Sequence, residues 1–301
     1  MKKLIFILLF LSITLHQTAQ VIDTKELSDK RRLNFFLVSS GVLYAGSMTG
    51  LYYLWYKDYP QSRFHFFNDN KEWFQMDKLG HATTAYQIGR IGYDAMSFNG
   101  YKEKHAVWIG GSLGFVYLTA IEVLDGFSAE WGASTGDLIA NTLGTSLFIS
   151  QQLLWNEQRI SLKYSFHTTQ YPSYRDDLLG KNKLTQALKD YNGQTYWASV
   201  NIKSFLSHES RFPSWLNIAF GHSADGMTGA MTNPAEVDGL PAPHFDRHRQ
   251  WLISADIDLS KITTRNTTLN YILKTLNFIK IPFPAIEYNR YDGLRFHPLY
   301  L

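Results

Sequence analysis

The hydrophobic pattern of this chain changes period at Arg159. Before it, apolar residues run in long stretches rich in glycine, alanine, serine and threonine, over residues 33–56, 78–96, 105–124 and 135–155. Runs of that length exceed a strand and suit helices that pack through small side chains. After Arg159, apolar and polar residues alternate. Ile160, Leu162, Tyr164 and Phe166 alternate with Ser161, Lys163 and Ser165, and Tyr196, Ala198, Val200 and Ile202 with Ser199, Asn201 and Lys203. Leu216, Ile218 and Phe220 recur, and Trp251, Ile253, Ala255, Ile257 and Leu259 alternate with Ser254, Asp256 and Asp258. Alternation gives each of these four strands one apolar face. Residues 286–289 and 293–297 add one or two more strands, after a short helix near residues 267–279. The chain therefore reads as α+β, with an N-terminal bundle of about four apolar helices followed by an open antiparallel amphipathic β-sheet.

An amphipathic sheet must bury its apolar face, and packing on the bundle is the default, with a partner or lipid as the other takers. That reading makes Val200, Ile218 and Ile257 buried. About six strands fall short of the eight that the smallest membrane barrels use. The long segments 170–194 and 225–250 read as surface excursions.

The N-terminus points to export. Lys2 and Lys3 precede an apolar run from Leu4 to Leu11, and small residues appear near Thr18, Ala19 and Gln20, in the order of a secretory signal peptide. The expected organisation is a signal peptide at 1–20, a helical bundle at 21–157 and a β-rich region at 158–301 packed on the bundle or a membrane. Residues 33–56 carry no charge and are the one stretch long enough to cross a bilayer unaided. Lys25, Lys30, Arg31 and Arg32 would then sit on the exported side, against the positive-inside bias, so that helix is not an ordinary inner-membrane span or the membrane is an outer one. The chain has no cysteine, which excludes disulfides, thiolate metal sites, cysteine nucleophiles and a lipid on cysteine. A net charge of +3, or +1 after subtracting Lys2 and Lys3 with the leader, is too small and dispersed for a nucleic-acid partner. The expected partners are membrane lipid or an envelope protein.

The apolar helices nevertheless carry ionisable groups. Asp77, Lys78 and His81 open the second helix, with Asp77 and His81 four apart on one face. Glu122 and Asp125 close the third helix three apart, and Asp137 and Asn141 open the fourth at a spacing of four. Antiparallel neighbours joined by a short loop bring the end of the third helix beside the start of the fourth. An up-down arrangement adds the start of the second. Charges on such helices are costly to bury alone, so three readings stay open. The groups can cap helix termini, perform acid/base chemistry with His81 as base and Glu122 or Asp137 orienting it, or hold a divalent metal. No cofactor is specified. His244, Asp246 and His248 offer a weaker His-x-Asp-x-His spacing in a segment that reads as a solvated loop.

The run Asp77-Lys78-Leu79-Gly80-His81, with Tyr86, Glu122, Asp125-Gly126-Phe127-Ser128 and Asp137 through Gly144, resembles the YfiM-like family of predicted periplasmic proteins, a domain of unknown function. The order of these residues is also similar to the VanZ-like membrane proteins. The resemblance covers residues 68–152 and implies an envelope protein with a polar cluster in a helical bundle. It implies no reaction. The expected function is a membrane-associated structural or assembly component of the envelope. The alternative is a hydrolase or transferase acting on an envelope lipid or glycan through His81, Glu122, Asp125 and Asp137, with Asp77, Lys78 and Asn141 binding.

Overall fold

The structure, a computed structural model, describes residues 29–57, 59–207 and 209–301; the expected leader lies outside the described residues. Four long helices come first. They are α1 (Asp29–Leu51), continued by a π-helical turn at Tyr52–Tyr56, α2 (Met76–Phe98), α3 (Glu103–Gly126, with a π-helical turn at Ala106–Gly110) and α4 (Thr135–Trp155). Glycine decides how three of them pack. A Cβ at Gly114 of α3 would lie 2.0 Å from the carbonyl oxygen of Ala85, and one at Gly144 of α4 would lie 2.0 Å from that of Ala82. Helix α2 is thus held between α3 and α4 at distances only glycine allows, around a buried cluster of Tyr86, Val107, Phe148 and Ile149. Helix α1 is different. Its described side chains are half-buried or exposed, and Tyr44 meets Tyr117 of α3 edge-on at 5.8 Å. Among the described residues, the helix long and apolar enough to cross a membrane is α3, and not the stretch 33–56. The glycines, serines and threonines of α1 dilute its hydropathy.

The second half is a six-stranded antiparallel sheet in the order β1-β2-β3-β6-β7-β8. Its strands are β1 (Ile160–Phe166), β2 (Gln194–Asn201), β3 (Leu216–Asp225), β6 (His248–Ile257), β7 (Phe283–Asn289) and β8 (Gly293–Tyr300). A small pair, β4 (Glu236–Val237) and β5 (Leu240–Pro241), decorates the β3–β6 connection. Short helices α5 (Asp176–Leu179) and α6 (Lys183–Lys189) precede β2, and α7 (Thr267–Leu276) precedes β7. The two edge strands are not paired to each other, but the sheet curls strongly. Lys163 of β1 reaches Asp256 of β6, three strands away, at 2.7 Å. Tyr164 donates its N–H to Phe278 O and accepts from Lys280 N–H on the outer edge of β1. Tyr300 at the end of β8 packs edge-on against Trp197 of β2.

The curl reverses the expected burial. The enclosed face is the mainly polar one, with Trp197, Leu252 and Tyr300 as its large apolar side chains. Lys163 and Asp256 have no exposed side-chain surface. Ser199 Oγ donates to Asp256 at 2.6 Å, and Asn217 Nδ2 donates to Ser199 at 2.9 Å. Glu287 accepts from Gln250 and Asn289 and pairs with His297 at 2.7 Å. Ile218 is exposed, and Val200 and Ile257 are only half-buried, contrary to the expectation for all three. The helices cover the apolar face near β1 and β2, where Leu162 packs on the bundle cluster and Tyr86 Oη donates to Ile160 O, and reach the end of β3 through Met76 and Ala224. Residues 170–194 are also not a mere excursion. Tyr171 and Leu179 are buried with Trp73, Met76, Ala224 and Met227 in a second cluster that joins the two halves.

Candidate functional site

This junction sets the start of α2. Trp73, Phe74 and Gln75 all have left-handed backbone angles, with φ of 46°, 51° and 63°. Three consecutive non-glycine residues in that region cost roughly 1–2 kcal/mol each, so the surroundings must hold them there. Trp73 is buried, and its N–H donates to Ala230 O at 2.9 Å. Arg249 of β6 donates to Phe74 O and to Gln75 Oε1, and its guanidinium lies 4.9 Å from the Phe74 ring centre. The sheet thereby fixes where α2 begins, one residue before Asp77.

Lys78 is the centre of the charge cluster. Its Nζ lies 2.6 Å from Asp69, 3.2 Å from Asp77 and 2.8 Å from Asp137. These carboxylates raise its pKa against the opposing effect of burial. His81, one turn on, has Nδ1 3.0 Å from Asn141 Oδ1, so in the tautomer that satisfies Asn141 this nitrogen donates. Nδ1 is also 3.8 Å from Glu122, and Nε2 is 3.8 Å from Asp77 and 3.9 Å from Asp137. Burial lowers the His81 pKa, but Asp77, Asp137 and Glu122 outweigh it and leave the imidazole more basic than usual. Asp77 is opposed by burial too, yet His81, Lys78 and the Tyr191 hydroxyl at 2.8 Å hold it below the usual carboxylate range. Glu122 and Asp137 go the other way. Burial pushes Glu122 up to about 7, and burial with the Asp77 charge pushes Asp137 up to about 8.

The three helix ends expected to meet therefore do meet, and His81, Asp77, Lys78, Glu122, Asp137 and Asn141 form one group. Asp125 stands beside it: its Oδ1 accepts from Tyr56 Oη at 2.6 Å, and burial pushes it up to about 6. Asp69, Ser134, Tyr56 and Tyr191 complete the network without having been singled out. Ser134 had a local signal, because it caps α4 by accepting from Asp137 N–H in a Ser-x-x-Asp pattern. Its N–H donates to Glu122 Oε2 at 2.8 Å and its hydroxyl to Asp69 at 2.6 Å. Asp69 and Tyr191 lie on connecting segments with no period to mark them. Three buried atoms at the centre have no hydrogen-bond partner, Glu122 Oε1, Asn141 Nδ2 and Asp137 Oδ1, and of these Asp137 Oδ1 is held by the Lys78 ion pair at 2.8 Å.

Asp77, His81 and Asp137 offer ligand atoms within 4.8 Å of one another, a spacing a metal ion could bridge. Lys78 Nζ already neutralises both of those carboxylates, so a cation would have to displace an ammonium held by three acids. His244 and Asp246 are exposed, and His248 opens β6 with Nδ1 on Asp246 O and its ring on Tyr291. Among the described residues they form no ligand group.

Residues 65–152 match a protein family, DUF2279, described as a predicted periplasmic lipoprotein. The chain is an exported protein of the cell envelope. The match takes in α2, α3 and α4 and every member of the cluster except Tyr56 and Tyr191, but covers under a third of the chain, and the sheet lies outside it. The 301 residues contain no cysteine that could carry the lipid of that description. No curated protein and no solved structure matches the chain.

Proposed function

We propose that the chain is an envelope hydrolase or transferase acting on a lipid or glycan by acid/base chemistry at His81. The observation that carries this reading is the pair of unpartnered buried atoms, Glu122 Oε1 and Asn141 Nδ2, beside an imidazole that keeps some exposure. A group buried only for structure is normally satisfied; an acceptor and a donor left open next to a histidine suit a substrate hydroxyl or phosphate ester. The acids also separate in strength, with Asp77 held low and Glu122 and Asp137 raised toward neutrality, which is the pattern that assigns base and acid roles. In this reading His81 moves the proton at Nε2, Asn141 orients the ring through Nδ1, Glu122 titrates beside it, and Lys78 offsets charge on the substrate or the acids. Asp125 acts through Tyr56 as a positioning group. The finer likeness to YfiM-like and VanZ-like proteins supports the same residues as the site.

One observation favours a structural or assembly role instead. Lys78 binds Asp69, Asp77 and Asp137 at once, and Glu122 holds the backbone of Ser134, so the cluster also ties two connecting segments to three helices. The two readings separate in His81→Gln and Glu122→Gln, assayed for rescue of a deletion strain alongside thermal melting. The enzymatic role expects loss of rescue with melting unchanged. Melting that falls in step with rescue in both variants supports the structural role, and full rescue with full stability removes the cluster as a site.

A further inference from the structure

The uncovered side of the sheet goes beyond the cluster and its chemistry. Strand register lines its outward side chains into cross-strand rows. Phe220 pairs with Ile253, Ile253 with Ile286 and Ile286 with Phe296, across β3, β6, β7 and β8. The next row runs His222, Trp251, Tyr288 and Leu294. The first row is 42% to 65% exposed, and Leu294 reaches 76%. Behind these rows lies the polar face that holds Lys163, Asp256, Ser199 and Glu287 out of water. A sheet with paired charges inside and isoleucine, phenylalanine and leucine outside is arranged for an apolar surrounding.

We infer that the outer face of β3, β6, β7 and β8 rests in the hydrocarbon of a lipid bilayer. Three features select lipid over a protein partner. The two rows carry no charged side chain and, apart from His222, Trp251 and Tyr288, no side-chain hydrogen-bonding group, whereas a protein interface carries polar groups throughout. The ends of the strands are marked by aromatic and basic residues, as at a membrane surface. At one end Arg290 lies 4.6 Å from the Tyr291 ring centre and donates to its hydroxyl and to Arg247 O, while Asp292 is turned to Arg295, so Arg290 is placed for an anionic headgroup. At the other end Trp215 is exposed, and Arg159, paired with Glu157 at 2.9 Å, lies over Trp155 and Phe205. The span also fits. His222 lies seven residues after Trp215, roughly 23 Å at the rise of a β-strand, close to the ~25 Å apolar band of membrane sheets.

The absence of cysteine makes the test direct, because Phe296→Cys creates a unique thiol for a polarity-sensitive dye. The full chain so labelled is mixed with vesicles of phosphatidylethanolamine and phosphatidylglycerol, with Lys183→Cys as the label on a polar surface. The expected result is a blue shift at position 296 and quenching by brominated acyl chains, with neither at position 183. Replacing Phe220, Ile253 and Ile286 together by Asp, all exposed and so compatible with folding, should weaken that quenching by at least about tenfold while circular dichroism stays unchanged. A dye at 296 that stays in water while the protein floats with vesicles overturns the inference. So does a dye that shifts without lipid in proportion to protein concentration, which would make the occupant a second copy of the chain. Should the triple variant misfold, the position-296 quenching in the otherwise unaltered chain decides alone.

Discussion

In the helical half, buried and half-buried charge gathers at one end, where Lys78, His81, Glu122 and Asp137 converge from three helices, with Arg90 apart from it, whereas in the sheet it is strung along a whole face from Lys163 to Glu287. The helical group sits in otherwise apolar surroundings and leaves Glu122 Oε1 and Asn141 Nδ2 open. The sheet's ionic groups are laced to serines, asparagines and each other, as in the Lys163–Asp256–Ser199–Asn217 chain. Burial of a charge is therefore poor evidence of a site. Open atoms occur in both regions, since Asp256 Oδ1 also lacks a hydrogen bond; what distinguishes the cluster is the convergence of three helix ends and acids shifted apart in strength.

The largest effect should come from breaking the sheet's interior pair. Lys163→Ala leaves Asp256 buried without its cation and should destabilise by about 3–5 kcal/mol in denaturant unfolding; a loss below about 1 kcal/mol would mean that the polar face is wet and the inversion is wrong. Next is the helix contact. Gly144→Val places atoms against the Ala82 carbonyl, only 2.0 Å from the new Cβ, and should lower stability by about 1–3 kcal/mol and perturb His81, the residue next to Ala82. An unchanged melting temperature would show that α2 and α4 are further apart.

The pH dependence sharpens the comparison at the cluster. Asp137 moves from 3.8 to about 8 and Glu122 from 4.5 to about 7 on folding. In that window the folded chain holds protons that the unfolded chain has released, so stability falls as pH rises through it, by at most ~1.4 kcal/mol per pH unit for each group. His81, raised on folding, acts in the same direction above 6.5, and Asp77, held low, removes stability only as pH falls below 3.8. Melting temperature should therefore peak near about pH 4 and decline toward pH 8, and Asp137→Asn should flatten the decline. A profile that rises from pH 5 to 8 would contradict the burial of these acids.

The smallest effect is the most telling for the sheet. Phe220→Asp, on the bare face, should change the stability of the lipid-free protein by no more than about 0.5 kcal/mol, while Ala219→Asp, one residue away and fully buried, should cost several times more. Equal losses would restore the conventional orientation, with the apolar face inside.

Much of this molecule could be read from the chain alone, for a local reason. Helices α2, α3 and α4 and strands β1, β2, β3 and β6 follow hydrophobic period, which is fixed by the repeat of each element and needs no knowledge of what lies opposite. The spacing of Asp77 with His81 and of Asp137 with Asn141 was legible in the same way, and short connections brought their helix ends together. Asp69 and Tyr191 were not legible, because they reach the cluster from irregular segments, and Tyr56 was not, because it reaches Asp125 from the π-helical end of α1, whose placement depends on packing. Nor was the left-handed turn at Trp73, which is held by Arg249 from a strand some 175 residues later. The deepest limit concerns the sheet. Alternation states that a strand has two unlike faces, and it cannot state which one is enclosed. That was decided by the curl that brings Lys163 to Asp256, since curvature makes one face concave and small, and here paired polar side chains occupy it around Trp197 and Leu252 while the isoleucines and phenylalanines of the other face are left outside.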